Sequence, residues 1–242
     1  HRALEHTKEE LAVLSKAGVV DAGAQGFVSF LDGILVLLRS GKPVRRGPVS
    51  REAPGWEFAD DGTEDIPVDG NIPFRYCTEV LLETALADVG LLRDSLHGEG
   101  DSLIVTQGVG KMRIHLHTND PERLLSRLRA FGTVLNQKVD DMVRQFQAVH
   151  DRAGSVAIVT DSIADIPPEL MDALQIHLVP QRILWGDEIY LDRVTMTGKT
   201  FYPLLDERKD YPGSSLPDPA SIRAMFRHLA AHYSAIVALP VS

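Results

Sequence analysis

Three side chains in the sequence have the types and the spacing to bind a transition metal. His115 and His117 flank a single leucine, and residues two apart on a β-strand point to the same face of a sheet. Cys77, the only cysteine of the chain, lies in a separate stretch that has the pattern of a strand. A thiolate and two imidazoles suit zinc, whereas magnesium and calcium prefer oxygen ligands. Three protein ligands leave a fourth position open, and Glu79, on the same side of the strand as Cys77, is a candidate ligand or hydrogen-bonding neighbour there.

The same residues also have a simpler interpretation. A single His-x-His pair is common, and a lone cysteine is often a buried thiol without a ligand. Two partly exposed histidines beside such a thiol would explain the pattern equally well. Spacing alone leaves both interpretations open.

The segment that contains these residues alternates between strand and helix patterns. Between Pro73 and about Ala148 the sequence predicts strands over 76–82, 101–108, 111–118 and 133–139, with helices over 86–96 and 121–131. The order β-α-β-β-α-β is that of the ferredoxin-like, split βαβ arrangement. We therefore expect an α+β domain over residues 72–150.

The following segment, residues 154–242, has the pattern of the first half of an α/β domain. The apolar run 156–159 predicts a strand covered on both faces, and a helix over 167–174 opens with two prolines. Beyond it we expect a strand over 177–184, a hairpin around Gly186, helices over 199–205 and 220–233, a loop over 211–219 and a last strand over 235–240.

The first seventy residues differ from the rest in composition. Residues 1–40 have a helical pattern interrupted near Gly18, and two helices cannot bury two apolar faces alone, so we expect a helical remnant of a larger domain. Residues 41–71 carry prolines, glycines and an acidic run, which predicts an exposed linker. The chain also opens in a helical pattern without a methionine, so we expect it to be an internal piece of a longer protein.

The net charge and the number of cysteines indicate which partners the protein can bind and in which cellular compartment it is found. A formal net charge of −9 leaves no basic surface for a phosphate backbone, so we expect no nucleic-acid partner. One cysteine cannot form an internal disulfide, which fits the reducing cytoplasm. The longest apolar run, 27–38, is too short to span a bilayer, and no signal for secretion is visible.

Short motifs in the middle segment resemble a known family. Tyr76-Cys77-Thr78-Glu79, Ile114 to Pro121 and Asp141 to Gln145 are similar to the middle domain of the bacterial fatty acid kinase subunit. In that family the cysteine and both histidines are zinc ligands. The resemblance implies zinc on Cys77, His115 and His117, and it leaves docking or homodimerisation as roles for the domain.

The segment Ala17 to Gly26 resembles the end of the same family's kinase domain, a helical barrel of the dihydroxyacetone-kinase L-subunit type. The resemblance implies that Asp21, Ala22 and Gly23 lie near the nucleotide, although packing of two helices at a Gly/Ala seam explains the motif equally well. The family's aspartate cluster for magnesium and ATP would lie upstream. We therefore expect ATP and magnesium to bind only through that part and the present chain to lack kinase activity.

From Ser155 onward the sequence resembles the DegV family, whose members hold a fatty acid. Asp161 and Ser162 match its opening loop. Ser214 and Ser215 match the hydroxyl-bearing loop that binds the fatty carboxylate, although Leu216 replaces a glutamine there, and Ser242 matches the first serine of the next loop.

These features favour a part of a fused fatty acid kinase and fatty-acid-binding protein. In that reading a fatty acid is bound and converted to acyl phosphate by the longer protein. Two other classes stay open from the sequence. One is a fatty acid carrier without kinase activity, and the other is a zinc hydrolase that would use Glu79 as its general base.

Overall fold

The computed structural model of the chain describes residues 22–40, 70–84 and 88–241. The chain divides into two compact units, residues 1–56 and residues 57–242. In the first unit the described residues form one helix, α1 (Ala22–Ser40). Apolar side chains on several sides of α1 are exposed, among them Phe27, Phe30 and Leu38. No helix within the described ranges combines the length and the apolar character needed to cross a membrane.

The first part of the second unit contains a four-stranded antiparallel sheet. Its elements are β1 (Tyr76–Glu83), α2 (Val89–Ser95), β2 (Asp101–Gly108), β3 (Lys111–Thr118), α3 (Pro121–Arg129), β4 (Thr133–Asp141) and α4 (Met142–His150). The strand order is β2-β3-β1-β4, and every pairing is antiparallel. This confirms the split βαβ, ferredoxin-like arrangement, in which β1 lies at the centre of the sheet.

Alternation along β3 separates the two faces of this sheet. Met112, Ile114 and Leu116 are almost fully buried in the main hydrophobic core, whereas the intervening residues point to the opposite face. Helices α2 and α3 cover the core face, and both begin at an aspartate whose carboxylate accepts backbone N–H bonds, Asp88 and Asp120. The opposite face is therefore the one that carries the polar side chains.

The second part of this unit contains two further sheets. Its elements are β5 (Val156–Asp161), α5 (Pro168–Ala173), β6 (His177–Val179), β7 (Arg182–Trp185), β8 (Glu188–Leu191), α6 (Gly198–Glu207), β9 (Gly213–Ser215), α7 (Pro219–His232) and β10 (Ala235–Ala238). One sheet is parallel with the order β10-β5-β6, and the other has the order β8-β7-β9. The mixed α/β class expected from the sequence is confirmed.

Two local expectations were wrong, and one helix was not predicted. The single strand predicted over 177–184 is two strands in different sheets, because the chain turns at Pro180, which has no backbone N–H to donate to a ladder. The predicted loop 211–219 contains β9, which pairs with β7. Helix α4, which follows β4 directly, was not predicted; Asp141 caps its first turn by accepting a bond from the Arg144 N–H.

Specific contacts join the two parts of the second unit. The Glu122 carboxylate on α3 accepts bonds from the Thr197 N–H at 2.7 Å and the Thr197 hydroxyl at 2.9 Å. On β4, the Gln137 amide donates to the Ile189 carbonyl at 2.7 Å. The Arg129 guanidinium lies 4.0 Å from the centre of the Tyr190 ring. The ferredoxin-like part and the α/β part therefore pack against each other through polar bonds with defined geometry.

Candidate metal cluster and adjoining cavity

Cys77, His115 and His117 come together on the polar face of the four-stranded sheet. The Cys77 Sγ lies 3.7 Å from the His115 Nδ1, and the His115 Nε2 lies 3.3 Å from the His117 Nε2. One ligand atom from each residue can be chosen so that all lie within 4.8 Å of one another. These atoms are close enough to share one metal ion, and the thiolate and imidazole donors suit zinc.

The strand register produces this cluster. Cys77 on β1 is directly opposite His117 on β3, and Glu79 is directly opposite His115. A slip of one residue would turn Cys77 to the core face, so the pairing of β1 with β3 fixes the site. Gly100 adds a further constraint, because a Cβ at this position would lie 1.8 Å from the His117 carbonyl oxygen.

Asp101 orients one imidazole of the cluster. Its carboxylate Oδ1 lies 3.1 Å from the His117 Nδ1, which leaves the His117 Nε2 directed to the cluster. A carboxylate bonded to the distal ring nitrogen is the usual support of a metal-binding histidine. Asp101 could not be identified from the sequence, where its only signal is its position at the start of the neighbouring strand β2.

Glu79 does not join the three ligands. The Arg113 Nε donates to the Glu79 Oε2 at 2.9 Å, and a second guanidinium nitrogen bonds the same oxygen. Glu79 is 6% exposed. Arg113 therefore holds the Glu79 carboxylate on the sheet face that also carries the cluster. Glu79 lies two residues along β1 from Cys77.

Burial distinguishes the thiol from the imidazoles. Cys77 is 1% exposed, whereas the His117 side chain is 22% exposed. On the other side of β1, Cys77 is opposite Asp140, which forms an ion pair with Lys138 at 2.7 Å. The Cys77 thiol is therefore shielded from solvent, whereas solvent reaches the His117 imidazole.

The opening loop of the last segment is buried. The Asp161 Oδ2 accepts a bond from the Val241 N–H at 3.1 Å, and the Ser162 hydroxyl accepts a bond from the Gln181 N–H at 3.0 Å. Both residues lie at or just after the carboxyl end of β5, next to the end of β10. Their side chains hold neighbouring loops together at the edge where open α/β sheets bind ligands.

The serine loop lies on β9. Ser214 is exposed and Ser215 is half-buried, and Ser215 is opposite Arg182 on β7. Ser242 lies outside the described residues, as does Asp21. Ala22 and Gly23 open α1. The structure therefore brings Cys77, His115 and His117 together. The prediction that Asp21, Ala22 and Gly23 lie near a nucleotide stays a prediction, because Asp21 lies outside the described residues.

A cavity of about 360 Å³ lies between the ferredoxin-like part and the α/β part. Its lining comes from the start of β1, β4 and α4 on one side and from α5, β6 and α7 on the other. Pro217 and Asp218, which follow the serine loop, also line it. Small-molecule pockets in proteins occupy roughly 300–1,000 Å³, so the cavity has the size of a ligand site.

Each part of this unit is similar to a known protein family. Residues 73–149 match the family of FakA-like middle domains, in which FakA denotes a component of fatty acid kinase. Residues 155–242 match the family described as "Uncharacterised protein, DegV family". The first match contains Cys77, His115 and His117, and the second contains the serine loop.

Individual relatives match one or both of these segments. Protein YloV of Bacillus subtilis is 28% identical over 153 residues, which is 61% of this chain and 28% of YloV. Protein DegV of Bacillus subtilis is 30% identical over 88 residues, which is 36% of this chain and 31% of DegV. Its crystal structure, described as that of a fatty acid binding protein, aligns over 36% of this chain and 30% of that chain with a TM-score of 0.35 and 29% identity. The chain spans about a third of the length of these relatives.

Residues 73–149 are therefore similar to the middle domain of the fatty acid kinase subunit, and residues 155–242 are similar to the DegV family. The recognition drawn from the sequence motifs is confirmed in these two segments.

Proposed function

We propose that this chain is the fatty-acid-binding and presenting part of a longer protein that converts a fatty acid to its acyl phosphate. The observation that carries the proposal is the cavity, because it forms where the kinase-type middle domain packs on the DegV-type segment. The DegV relative from Bacillus subtilis, 30% identical, is described as fatty acid binding. A cytoplasmic location fits this role.

The transfer of the phosphoryl group to the fatty acid depends mainly on the alignment of the two reactants. One carboxylate oxygen of the fatty acid bonds to the γ-phosphorus of ATP, the bond from that phosphorus to the bridging oxygen breaks, and ADP leaves. Such transfers depend on alignment and on neutralisation of charge. The Ser215 hydroxyl, which lies on the same sheet face as Arg182, would donate to the carboxylate, and Arg182 would offset its charge. Ser214, the next residue on β9, would hold the loop from the other face.

In this proposal the nucleotide binds to another part of the longer protein. ATP and magnesium would bind to a kinase-type domain upstream, whose last residues would include Asp21, Ala22 and Gly23. The chain alone would then bind fatty acid without consuming ATP.

Zinc is proposed for the cluster of Cys77, His115 and His117. The thiol and imidazole donors fit this ion, and Asp101 already orients His117 toward the cluster. Bound zinc would link β1 to β3 and stabilise the polar sheet face, which adjoins the cavity through Glu79. We assign the metal a structural and docking role.

The zinc hydrolase is disfavoured by one contact. A hydrolase of this kind needs a general base beside the metal-bound water, and Glu79, the candidate, is held by Arg113. A carrier without kinase activity would also bind a fatty acid through this chain. It would differ from our proposal only in that the longer protein would not phosphorylate the bound acid. Fatty acid that copurifies with that protein, without ATP turnover, would favour the carrier.

Binding of a fatty acid to the purified chain tests the proposal. Titration calorimetry with decanoic acid should show saturable binding, and Met225→Glu should weaken it strongly because a carboxylate would enter the apolar wall of the cavity. Ala230→Glu is the matched control, since Ala230 is exposed on the same helix and does not line the cavity. Equal binding by the two variants, or no binding by the unmodified chain, would contradict the proposal.

A further inference from the structure

A second cavity adjoins the cavity of about 360 Å³, which we call the main cavity. The second cavity has a volume of about 240 Å³ and lies between β4 of the ferredoxin-like part and strands β7 and β8 of the α/β part. Gln137, Arg182 and Leu191 line both cavities. These three residues therefore form the partition between the two spaces.

Arg182 is the residue of this partition whose polar atoms are available to a ligand. The Gln137 amide is already bonded, since it donates to the Ile189 carbonyl at 2.7 Å and accepts from the Thr195 hydroxyl at 2.9 Å. The Arg182 side chain is 33% exposed, and within the described part of the chain its guanidinium makes no hydrogen bond and one ion pair, with Asp218 at 4.0 Å. An ion pair of that length between partly exposed side chains is weak. The five N–H donors of Arg182 can therefore turn to a ligand.

The charge around the second cavity is positive. Arg182 is the only charged side chain among the described residues that line it, whereas the main cavity is lined by acidic and basic residues together. Asp218, the ion-pair partner of Arg182, lines the main cavity but not the second one. A space that meets one cation and no carboxylate favours an anionic group.

Neutral donors add to this preference. The Asn136 Oδ1 accepts the Gln137 N–H at 2.8 Å, and the Asn136 NH₂ group makes no hydrogen bond with the described residues. Strands β4 and β8, which border the second cavity, are both at the edge of their sheets. Edge strands have backbone N–H groups that no strand pairing uses. An anion with several acceptor oxygens would use more of these donors than a carboxylate at Arg182 alone.

We infer that the second cavity is a subsite for a phosphate-type group at the end of an acyl chain, with Arg182 and Asn136 as its donors. The inference rests on the proposed function, which places the acyl chain in the main cavity and yields an acyl phosphate. There Leu178, Ile222 and Met225 offer apolar side chains to the methylene groups. A phosphate group brings about two negative charges and three acceptor oxygens. The head group of the product would therefore make contacts in the second cavity that the free acid cannot make.

The test compares decanoic acid with decylphosphonic acid on the full chain by titration calorimetry. The two compounds have similar alkyl chains, and the carbon–phosphorus bond resists hydrolysis, so the phosphonate is a stable substitute for the acyl phosphate. We expect the phosphonate to bind about tenfold more tightly, the effect of one additional hydrogen bond to a charged group. Methylphosphonic acid, which lacks the chain, should bind much more weakly than decylphosphonic acid.

One substitution changes the second cavity alone. Asn136→Asp keeps the oxygen that accepts the Gln137 N–H but replaces the NH₂ donor by a negatively charged oxygen, so it should remove the preference for the phosphonate. Gln107→Glu is the matched control, because it adds the same charge on β2, where Gln107 is exposed and lines neither cavity. This control should keep the preference.

The outcomes separate this inference from the proposed function. Equal affinity for decanoic and decylphosphonic acid would overturn the inference and leave the proposed function standing. A preference that survives in Asn136→Asp would overturn the assignment to the second cavity. Methylphosphonic acid that binds as tightly as decylphosphonic acid would show a site for free phosphate and overturn the link to an acyl chain. Failure of both decyl compounds to bind would overturn the proposed function and the inference together. If Asn136→Asp does not fold, the comparison on the unmodified chain still decides.

Discussion

At the candidate metal cluster, each of the three side chains is held in a different way. Cys77 is fixed by burial, His115 by its packing against His117, and His117 by Asp101. The purified chain should carry about one zinc ion. Cys77→Ser should lose most of it, because a hydroxyl stays protonated near neutral pH. Asp101→Ala should weaken zinc affinity about 10- to 100-fold, the usual effect of removing a carboxylate that orients a ligand histidine.

Elemental analysis and a competitive chelator titration measure both effects. His97→Gln is the control, since His97 is exposed in the turn after α2 and should leave the metal content unchanged. The proteins should be prepared without a histidine tag. Absence of zinc from the unmodified chain would leave a buried thiol beside two histidines as the correct interpretation.

His177 should make stability depend on pH. Burial, with the charges of Arg144 and His228, lowers its pKa to about 4, whereas the unfolded chain titrates near 6.5. Between these values the unfolded state binds more protons, so the free energy of unfolding should fall as pH falls from 6.5 through 4. The two pKa values together imply a loss of about 3 kcal/mol from this residue.

Urea denaturation at pH 7 and pH 4.5 measures that loss. His177→Phe keeps an aromatic ring of similar size in the core, so it should lose less stability on acidification than the unmodified chain. A variant with the same pH dependence as the unmodified chain would show that other groups, such as His228, cause it.

At the scale of elements, α5 is tied to the ferredoxin-like part by one carboxylate. Asp172 accepts bonds from Arg75 at 2.7 and 3.0 Å and from Arg144 at 2.5 Å. The bonds from Arg75, together with the charges of both arginines, lower the pKa of Asp172. This contribution to stability is present above the ordinary carboxyl pKa and is lost as pH falls through the lowered value.

Asp172→Asn should therefore lower the free energy of unfolding at pH 7. The expected loss is about 1 kcal/mol, because Asp172 is half-exposed and solvent screens the pair, although Arg144 itself is buried. Asp206→Asn, an exposed carboxylate on α6, serves as the control and should change stability little. Equal thermal unfolding of the two variants would show that the junction does not depend on this carboxylate.

The sequence predicted regular elements well and their partners less well. Strands β2 and β3 were predicted with their observed bounds, because alternation and the Gly-rich turn between them are local signals. Strand geometry placed His115 and His117 on one face, and the family resemblance favoured Cys77 as their partner. The roles of Asp101 and His177 could not be predicted, since each depends on contacts between residues distant in the chain. Strand β9 was also missed, because a three-residue strand exists only through its pairing with β7.

At the scale of the whole molecule, the composition of residues 41–71 predicts an accessible linker, although residues 41–69 lie outside the described part. Limited proteolysis should cut there first and leave a resistant product that starts near Pro73. We expect this product to contain both family segments, because the polar bonds from Glu122, Gln137 and Arg129 hold them together. Early cleavage near residues 151–155, which are exposed, would show instead that the segments separate readily.

The central position of β1 has a consequence for synthesis on the ribosome. Both of its partners, β3 and β4, are translated after it, so β1 has no neighbour in the sheet until they emerge. At typical rates of roughly 5–20 residues per second, this apolar strand waits for several seconds with both edges unpaired. Its only thiol reports on that interval: Cys77 should react with a thiol reagent in nascent chains arrested before β3 emerges and become protected once β4 is out. Protection before β3 appears would mean that other contacts, from a chaperone or from the chain itself, cover β1 first.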